Sequence, residues 1–376
     1  MKSLYDECEK DVLLYLNTND ESRLMRKITL LFLLTFALGC STKNSTKIKK
    51  LKVTNLENIP IYTTNNAVAE GFINERPYIF TFGGLDSTKL YTGIHKNSYR
   101  FDVINNKWQQ IADLPDSLGK VASAATRVKN LIYILGGYHV FKDHSEKSSN
   151  KVHRYDVINN QFLEDGTPIP VAIDDHVQSV WRDSLIYIIA GWSDTENVST
   201  VQIYDPENNA WSIGTSLPNN HTFKSFGASG AILGDTIYYF GGASMGKHYP
   251  IQNILRKGII NKKNPTEITW SHQVLDSTIV GYRMAAATVN NRIHWLGGSI
   301  ITYNFNPVAY DGSGGVNPTN RDLYIENDQW KTDFSNKLPM DLRGIAEIND
   351  SIKIIVGGIL ENQKVSNKVY KLEWKD

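Results

Sequence analysis

This 376-residue chain has very few cysteines and no large excess of positive or negative charge. The two cysteines are Cys8 and Cys40, so the chain beyond Cys40 has none for a disulfide, a thiol nucleophile, a thiolate zinc site or an iron–sulfur cluster. The 40 basic and 39 acidic side chains nearly cancel. With so weak a field we expect no nucleic-acid partner, and any charge preference must be local.

Long hydrophobic runs are also scarce, and the main one lies near the N-terminus. Residues 28–38 are largely apolar but too short to cross a bilayer, they follow Arg26 and Lys27, and Gly39 and Cys40 come next. This order resembles a bacterial lipoprotein signal. The resemblance implies that Cys40 carries the lipid and that everything upstream is removed. An uncleaved signal anchor is the alternative.

The signal divides the chain into four parts. Residues 1–24 fit no signal and are interpreted as a doubtful N-terminal extension, residues 25–40 as the signal peptide, residues 41–50 as a polar tether and residues 51–376 as the folded body. This organisation implies export to the bacterial cell envelope, on the periplasmic or outer surface and most simply at the outer membrane. The lipid anchor would be the protein's only contact with the membrane.

A short β-rich run that ends in two small residues occurs six times in the body. The first small residue of each pair is separated from the next by 51 to 60 residues. Each unit reads as four short strands with turn signals between them, which is typical of a propeller blade. The six pairs are Gly83-Gly84, Gly136-Gly137, Ala190-Gly191, Gly241-Gly242, Gly297-Gly298 and Gly357-Gly358.

These marks resemble the kelch-repeat family. Beside the Gly-Gly pairs, the family marks are a Tyr-Asp in the third strand and a Trp about six residues beyond that Asp, as in "QIYDPENNAW" at residues 202–211. The second unit has Phe162 in place of the Trp, and the fourth and fifth units lack the Tyr-Asp. The fold class implied is all-β, a six-bladed kelch-type β-propeller.

The two ends of the body predict how the propeller closes. Residues 52–60 align with residues 107–115, which form a fourth strand and the link to the next blade, while the last unit is one strand short. We therefore expect the N-terminal strand, residues 52–56, to pair with residues 369–374 and remove the open sheet edge.

Three aspartates occupy the same position in their repeats, namely Asp102, Asp156 and Asp205. Carboxylates would be catalytic only if they converged, whereas equivalent positions on the outer strands of a propeller diverge. We interpret them as acceptors for backbone N–H groups in the turns that follow.

Function should reside where the blades differ, near the starts of the inner strands. Alignment on the Gly-Gly pairs predicts a ring of basic groups around one rim of the channel that would bind an anion such as a carboxylate. The alternative is that these side chains cap strands or lie solvated on the rim. The predicted ligand-binding residues are Lys120, His176, Lys224, Tyr282, Arg283 and Arg343.

Loops after the Gly-Gly pairs add further candidates. Trp192 is suited to stacking on a sugar, although packing between blades is the alternative. Asp174, Asp175 and His176 lie together, and a carboxylate beside an imidazole can exchange protons. The nine histidines show no paired spacing of metal ligands, so we expect no metal and no cofactor.

The last two units have a narrower resemblance, to the exported bacterial sialic acid mutarotases. It rests on a long insertion with "NPVAYDG" followed by "LRGIAEI". It implies binding of an anionic carbohydrate, a sialic or uronic acid, with Arg283 and Arg343 as carboxylate clamps and His176 and His248 as proton carriers. Two alternatives remain: a non-catalytic scaffold that docks an envelope protein, and a polysaccharide hydrolase or lyase, which the scarcity of carboxylate pairs disfavours.

Overall fold

The computed structural model describes residues 50–303, 316–319, 321–326, 329–333 and 338–375. The predicted extension, the signal with Cys40 and nearly all of the tether lie outside these ranges. The described residues form β-strands and two short 3-10 turns, at Tyr91–Gly93 and Glu361–Gln363. No helix in these ranges is long and apolar enough to cross a bilayer.

Six four-stranded antiparallel blades follow one another along the chain, after an initial strand, β1 (Lys50–Asn55). The strands of the first blade are β2 (Ala67–Ile73), β3 (Arg76–Leu85), β4 (Ile94–Asp102) and β5 (Lys107–Ile111). The second blade has β6 (Val121–Val128), β7 (Leu131–Val140), a short β8 (Glu146–Ser148) that pairs with β7, β9 (Val152–Asp156) and β10 (Gln161–Phe162). The third has β11 (Val177–Trp181), β12 (Leu185–Ile189), the hairpin of β13 (Trp192–Ser193) and β14 (Glu196–Asn197), β15 (Val201–Asp205) and β16 (Ala210–Ile213).

The remaining three blades follow the same order. The fourth has β17 (Ser229–Leu233), β18 (Thr236–Phe240), β19 (Ile254–Ile260) and β20 (Ile268–Val274), and the fifth has β21 (Ala285–Val289), β22 (Arg292–Leu296), β23 (Asp322–Glu326) and β24 (Gln329–Asp333). The sixth has β25 (Ala346–Asn349), β26 (Ile352–Val356), the hairpin of β27 (Ile359–Leu360) and β28 (Lys364–Val365), and β29 (Val369–Lys375).

The predicted closure is confirmed. Strand β1 pairs antiparallel with β29 along its whole length, from Lys50 opposite Lys375 to Asn55 opposite Tyr370, and it completes the sixth blade as its outer strand. The ladder continues one step further, since the N–H of Leu56 donates to the carbonyl of Val369 at 3.0 Å. The propeller is thus closed by the two ends of the body.

The Tyr-Asp and Trp marks stabilise the outer half of the blades that carry them. As predicted, Asp205 accepts the N–H groups of Glu207 and Asn208, at 2.9 and 3.3 Å, and Asp102 and Asp156 accept at equivalent places. In the same repeat Trp211 donates its indole N–H to the carbonyl of Thr167, in the link from the preceding blade, at 2.7 Å. The repeated residues therefore build turns and join neighbouring blades.

The Gly-Gly pairs define one face of the propeller, here called the Gly-Gly face. The first residue of each pair has a left-handed backbone, with φ of 63° at Gly136 for example. A Cβ at Gly137 would collide with Ser123, so only glycine fits there. The opposite face, here called the turn face, carries the tight turns between the first and second strands of each blade, such as Asn74 with Glu75 and Arg182 with Asp183.

Apolar side chains fill the spaces between blades and also cover the propeller axis on the Gly-Gly face. The covering group comes from loops of different blades and includes Tyr138, Phe226, Tyr282, Tyr303 and Ile359, all of them buried. In the described parts of the chain, the axis is open to water from the turn face, where the inner strands β2, β6, β11, β17, β21 and β25 line a central cavity.

Candidate functional site

A ring of left-handed residues closes the central cavity below the Gly-Gly face. Each blade contributes one residue with a φ between 47° and 63°, before its inner strand or, for Ala122, at the second residue of that strand. Five of the six are not glycine, and a left-handed backbone at such residues costs of order 1–3 kcal/mol each. Strain of this kind persists only where the surroundings enforce it. The ring residues are Asn65, Ala122, Asp175, Gly227, Arg283 and Asp341.

Hydrogen bonds pass from blade to blade around this ring. The N–H of Gly227 donates to the carbonyl of Asp175 at 2.9 Å, and the N–H of Arg283 donates to the carbonyl of Gly227 at 2.8 Å. The circuit is completed by four further bonds: Asp175 N–H to the Ala122 carbonyl, Ala122 N–H to the Asn65 side-chain oxygen, Asn65 N–H to the Asp341 carbonyl, and Leu342 N–H to the Arg283 carbonyl. The ring is a continuous floor for the cavity.

The side chain of Arg283 fills the centre of the ring. Its guanidinium donates to both carboxylate oxygens of Asp175, Nε to Oδ1 at 3.2 Å and Nη2 to Oδ2 at 2.5 Å, and Nη1 donates to Oδ1 of Asp341 at 3.1 Å. It also lies 5.1 and 5.3 Å from the ring centroids of Tyr282 and Tyr303. Arg283 is fully buried, so these two carboxylates are its necessary counter-charges.

Asp175 and Asp341 both pair with Arg283 but differ in their further partners. Burial alone would raise the pKa of Asp175, but the guanidinium groups of Arg283 and Arg343 outweigh it and lower that pKa. Asp341 accepts the hydroxyl of Thr64 at 2.8 Å and that of Tyr303 at 3.3 Å. The floor therefore carries two arginines and two aspartates, which balance.

Arg343 lies on the cavity side of this floor and is less completely paired than Arg283. Its Nη1 is 2.7 Å from Oδ1 of Asp175, and only 3% of its side chain is exposed. Its Nε is buried with no hydrogen-bond partner among the residues that the structure describes. Such an unpaired donor costs about 1–3 kcal/mol, more when it is charged.

His176 is the second incompletely paired group at the floor. The amide nitrogen of Gln178 donates to Thr126 Oγ1 at 2.9 Å, so the amide oxygen Oε1 is the atom that faces His176 Nε2, at 3.1 Å. Because that oxygen can only accept, the imidazole proton is on Nε2. Burial lowers the pKa of His176 to about 4, which keeps the ring neutral at pH 7. Nδ1 is then an acceptor, buried and without a partner among the described residues.

The cavity above this floor has a volume of about 540 Å³ and is lined by the six inner strands. This volume lies in the range of small-molecule sites. None of the described residues that line it is aromatic, and the apolar ones are mostly Ala, Val and Ile. No group of three or more possible metal ligands occurs in the described parts of the chain.

Charged pairs line the cavity wall nearer the turn face. Arg127 Nε is 3.3 Å from Glu70 Oε1, while Glu70 Oε2 accepts the backbone N–H of Glu347 at 3.1 Å. Lys353 Nζ is 2.7 Å from Glu347 Oε2, which also accepts the hydroxyl of Thr288 at 3.0 Å. Burial raises the pKa of Glu70.

The structure brings together only part of the predicted basic ring. Arg343 and His176 line the cavity, and Arg283 lies beneath it. Lys120 does not reach the cavity. Its ammonium group is fully buried 3.3 Å from Asp116, which is also 3.2 Å from Nε2 of His153. Lys224 does not line the cavity either, since it pairs with Glu196 at 3.4 Å on the Gly-Gly face. The expected convergence at one rim is corrected accordingly, because each of these lysines pairs with a carboxylate away from the cavity.

The other predicted residues lie on the Gly-Gly side of the floor. Tyr282 is buried there and donates its hydroxyl to the carbonyl of Tyr303 at 3.0 Å. Trp192 packs edge-on against Phe226 and Tyr249, with ring centroids 5.4 and 5.9 Å away. This is the packing that was the alternative to stacking on a sugar. His248 is exposed in a loop on that face and does not line the cavity that contains His176.

Sequence reasoning missed the acidic members of the site. The "DDH" pattern contains Asp175, but it does not point to Asp341, the other carboxylate that pairs with Arg283, or to the wall residues Glu70 and Glu347. A signal existed for Asp341, since it precedes the "LRG" of the sixth inner strand as Asp175 precedes the third. No local pattern marks Glu70, because it is one polar residue in an alternating strand.

These features define a class: a six-bladed β-propeller with a closed floor and a polar central cavity. Within that class the chain belongs to the KLHDC2/KLHL20/DRC7 kelch-repeats domain family, whose profile matches residues 69–298, more than half of the chain. The kelch assignment and the six-bladed fold are therefore confirmed.

Curated relatives and a solved structure agree with this assignment. Kelch-like protein 25 of Xenopus tropicalis is 26% identical over 174 residues, 44% of this chain and 27% of that protein. Kelch-like protein 26 of Danio rerio is 23% identical over 286 residues, 74% of this chain and 42% of that protein. The chain thus spans less than half the length of these relatives. The structure of YjhT has the same fold, at a TM-score of 0.63 and 15% identity, over 83% of this chain and 95% of that one.

Proposed function

We propose that the central cavity binds a small acidic carbohydrate, of the sialic or uronic acid type. The observation that carries this proposal is the pair of unpaired groups at the cavity floor, the Nε–H donor of Arg343 and the Nδ1 acceptor of His176. A carboxylate with a hydroxyl beside it supplies the complementary acceptor and donor. Sugar acids have this combination.

Arg343, rather than Arg283, is the carboxylate-binding arginine in this proposal. Arg283 is committed to Asp175 and Asp341 and shields their charges within the floor. Arg343 shares Asp175 with Arg283, so Asp175 keeps a cationic partner when Arg343 turns toward a ligand. A ligand carboxylate can therefore replace Asp175 at Arg343 without leaving a buried charge unpaired.

We further propose that the same site interconverts the anomers of a free sugar acid. The reaction begins when the anomeric O–H gives its proton to a base. The bond from the anomeric carbon to the ring oxygen then breaks, its electron pair stays on the ring oxygen, and that oxygen takes a proton from water. His176 Nδ1 is the base, because it is neutral and has a free lone pair. Closure on the other face of the carbonyl reverses these steps.

Calorimetry with N-acetylneuraminic acid and glucuronic acid tests the binding proposal, with their methyl esters and glucose as controls. Binding of the acids but not of the esters supports it, and no binding of either acid at millimolar concentration contradicts it. Anomer exchange followed by NMR then tests catalysis independently, because a protein that binds without accelerating exchange retains only the first half of the proposal.

A protein-interaction role is the second candidate, favoured by apolar side chains exposed in loops of the Gly-Gly face. They are Leu90, Phe141, Ile300 and Ile301, and the described cavity does not involve them. Capture of an envelope protein that is lost in Leu90→Ser with Phe141→Ser, but kept in Arg343→Met, would assign this role to the Gly-Gly face.

We also propose that Cys40 is lipidated and that the protein works in the bacterial cell envelope, as its signal resembles that of bacterial lipoproteins. The lipid would hold the propeller at a membrane surface, where it could meet saccharides released from glycans.

A further inference from the structure

The central cavity is closed at one end and open at the other, which restricts what kind of saccharide can enter it. The ring residues and the apolar cover of the Gly-Gly face block passage along the axis. A saccharide can therefore enter only with one end first, from the turn face. An internal unit of a long chain cannot reach the floor, because the chain would have to continue through the ring.

The cavity has a second polar zone, well separated from the floor. Glu70 is the fourth residue of β2, which runs extended from Ala67 beside the floor, so it lies roughly 10 Å along the strand toward the turn face. This distance is longer than one sugar ring. A ligand that reaches both Arg343 and Glu70 must therefore be longer than a single pyranose.

The charges of this second zone are balanced. Glu70 is paired with Arg127, and Glu347 is paired with Lys353. At the floor, by contrast, Arg343 can turn from Asp175 to a ligand. The second zone therefore does not call for a charged group, although its carboxylates remain reachable, with 16% and 34% of the side chains of Glu70 and Glu347 exposed.

A wall of paired carboxylates and cations can form hydrogen bonds with the hydroxyl groups of a ligand. Each carboxylate oxygen of Glu70 accepts one hydrogen bond in the described structure and has a further lone pair for a hydroxyl donor. The Arg127 guanidinium can donate to a hydroxyl oxygen, and Thr288 Oγ1, whose proton goes to Glu347, can accept from a hydroxyl group. A neutral sugar presents such groups around its ring. The wall formed by Glu70, Arg127, Thr288, Glu347 and Lys353 is here called the wall subsite.

We propose that the wall subsite binds a neutral sugar residue linked to the acidic one, so that the preferred ligand is the acidic end of an oligosaccharide. This inference rests on the binding part of the proposed function, since the acidic residue occupies the floor. An acid that is linked through its anomeric carbon has no anomeric O–H, so it is bound without anomer exchange. The linkage points from the floor toward the turn face, and the rest of the saccharide extends out of the cavity.

Calorimetry with paired ligands tests the inference. One pair is glucuronic acid and an aldobiouronic acid, in which the same uronic acid is linked to a neutral sugar, and the other is N-acetylneuraminic acid and sialyllactose. We expect the linked compound of at least one pair to bind ten-fold or more tightly than the free acid. Equal or weaker binding of the linked compound in both pairs overturns the inference.

Two isosteric variants of the wall subsite make the test specific. Glu70→Gln and Thr288→Val should each remove most of the gain from the second sugar and leave the affinity for the free acid within two-fold. Glu75→Gln, on the exposed turn next to β2, is the matched control and should change neither affinity. Equal weakening of free and linked ligands in both variants contradicts a separate subsite. If no acid binds in any form, the proposed function itself fails, which is a different outcome.

Discussion

Two arginines that look equivalent in the sequence have different surroundings in the structure. Arg283 and Arg343 each precede an inner strand, and each contacts Asp175. Arg283 has two carboxylate partners and two aromatic neighbours, whereas Arg343 has one carboxylate and an unpaired Nε. At the residue scale, the first is part of the fold and the second is available to a ligand.

Substitution of the two arginines should therefore affect different properties, ligand binding for Arg343 and stability for Arg283. Arg343→Met should weaken binding of the sugar acid by about 2–5 kcal/mol, measured by calorimetry, with little loss of stability. Arg283→Met should lower the free energy of unfolding by about 3–5 kcal/mol, because Asp341 loses its cationic partner in a buried place. Comparable losses of stability in both variants, measured by chemical denaturation, would contradict this division of roles.

The pKa of His176 predicts how stability depends on pH. Its folded value of about 4 lies below the unfolded value near 6.5, so between these values the unfolded chain binds more protons. The stability from neutral His176 is complete above about pH 6.5 and is lost as the pH falls to about 4, by roughly 3 kcal/mol in total. Of the two charged groups that face His176, Arg343 lowers its pKa and Asp175 raises it.

A pair of histidine variants isolates this effect. His176→Gln should lose stability less than the native protein between pH 6.5 and pH 4, whereas His221→Gln, an exposed control, should follow the native curve. The comparison is needed because burial raises the pKa of Glu146 to about 7, which gives the opposite slope in all three proteins. Parallel curves for His176→Gln and the native protein would show that folding does not lower the pKa of His176.

At the scale of elements, the seam between β1 and β29 joins two ends of the chain that are far apart in sequence. Strand β1 is the outer strand of its blade, so only every second N–H can donate to β29. Because the N–H of Leu56 donates to Val369, the alternation places the N–H of Thr54 toward β29 and that of Val53 toward solvent.

Proline at these adjacent positions tests the seam. Thr54→Pro removes a ladder donor and should lower the free energy of unfolding by about 1–3 kcal/mol, whereas Val53→Pro should cost less. Thermal or chemical denaturation measures both. A larger loss at Val53 than at Thr54 would be incompatible with this pairing register.

The repeated elements themselves were predictable because their causes are local. Asp205 and the turn after it lie within four residues, and the second position of each Gly-Gly pair needs glycine wherever it occurs. The pairing of Lys120 and Lys224 was not predictable. Asp116 lies in the link between two blades and Glu196 in the short hairpin strand β14, and no repeat determines the direction of either segment.

At the scale of the whole molecule, the proposed anchor and the propeller have separate tests. In a bacterial host the native chain should be processed so that Cys40 becomes the first residue and carries lipid, because its signal resembles that of lipoproteins. Mass spectrometry of the mature N-terminus and partition into detergent measure this. Cys40→Ser should abolish both, while Cys8→Ser should change neither. A mature native chain that begins upstream of Cys40 would contradict the anchor.

The sequence by itself determined the number of blades, the residues of each turn and the strand that closes the propeller, since a repeat of four strands needs only neighbouring residues to define it. Only the tertiary structure decided which side chains meet on the axis. Asp175, Arg283 and Asp341 come from three blades, and their contact exists only once the ring has closed. Arg343 and His176, on which the proposed function rests, come from the sixth and third blades, and they lie at one cavity only once that ring has closed.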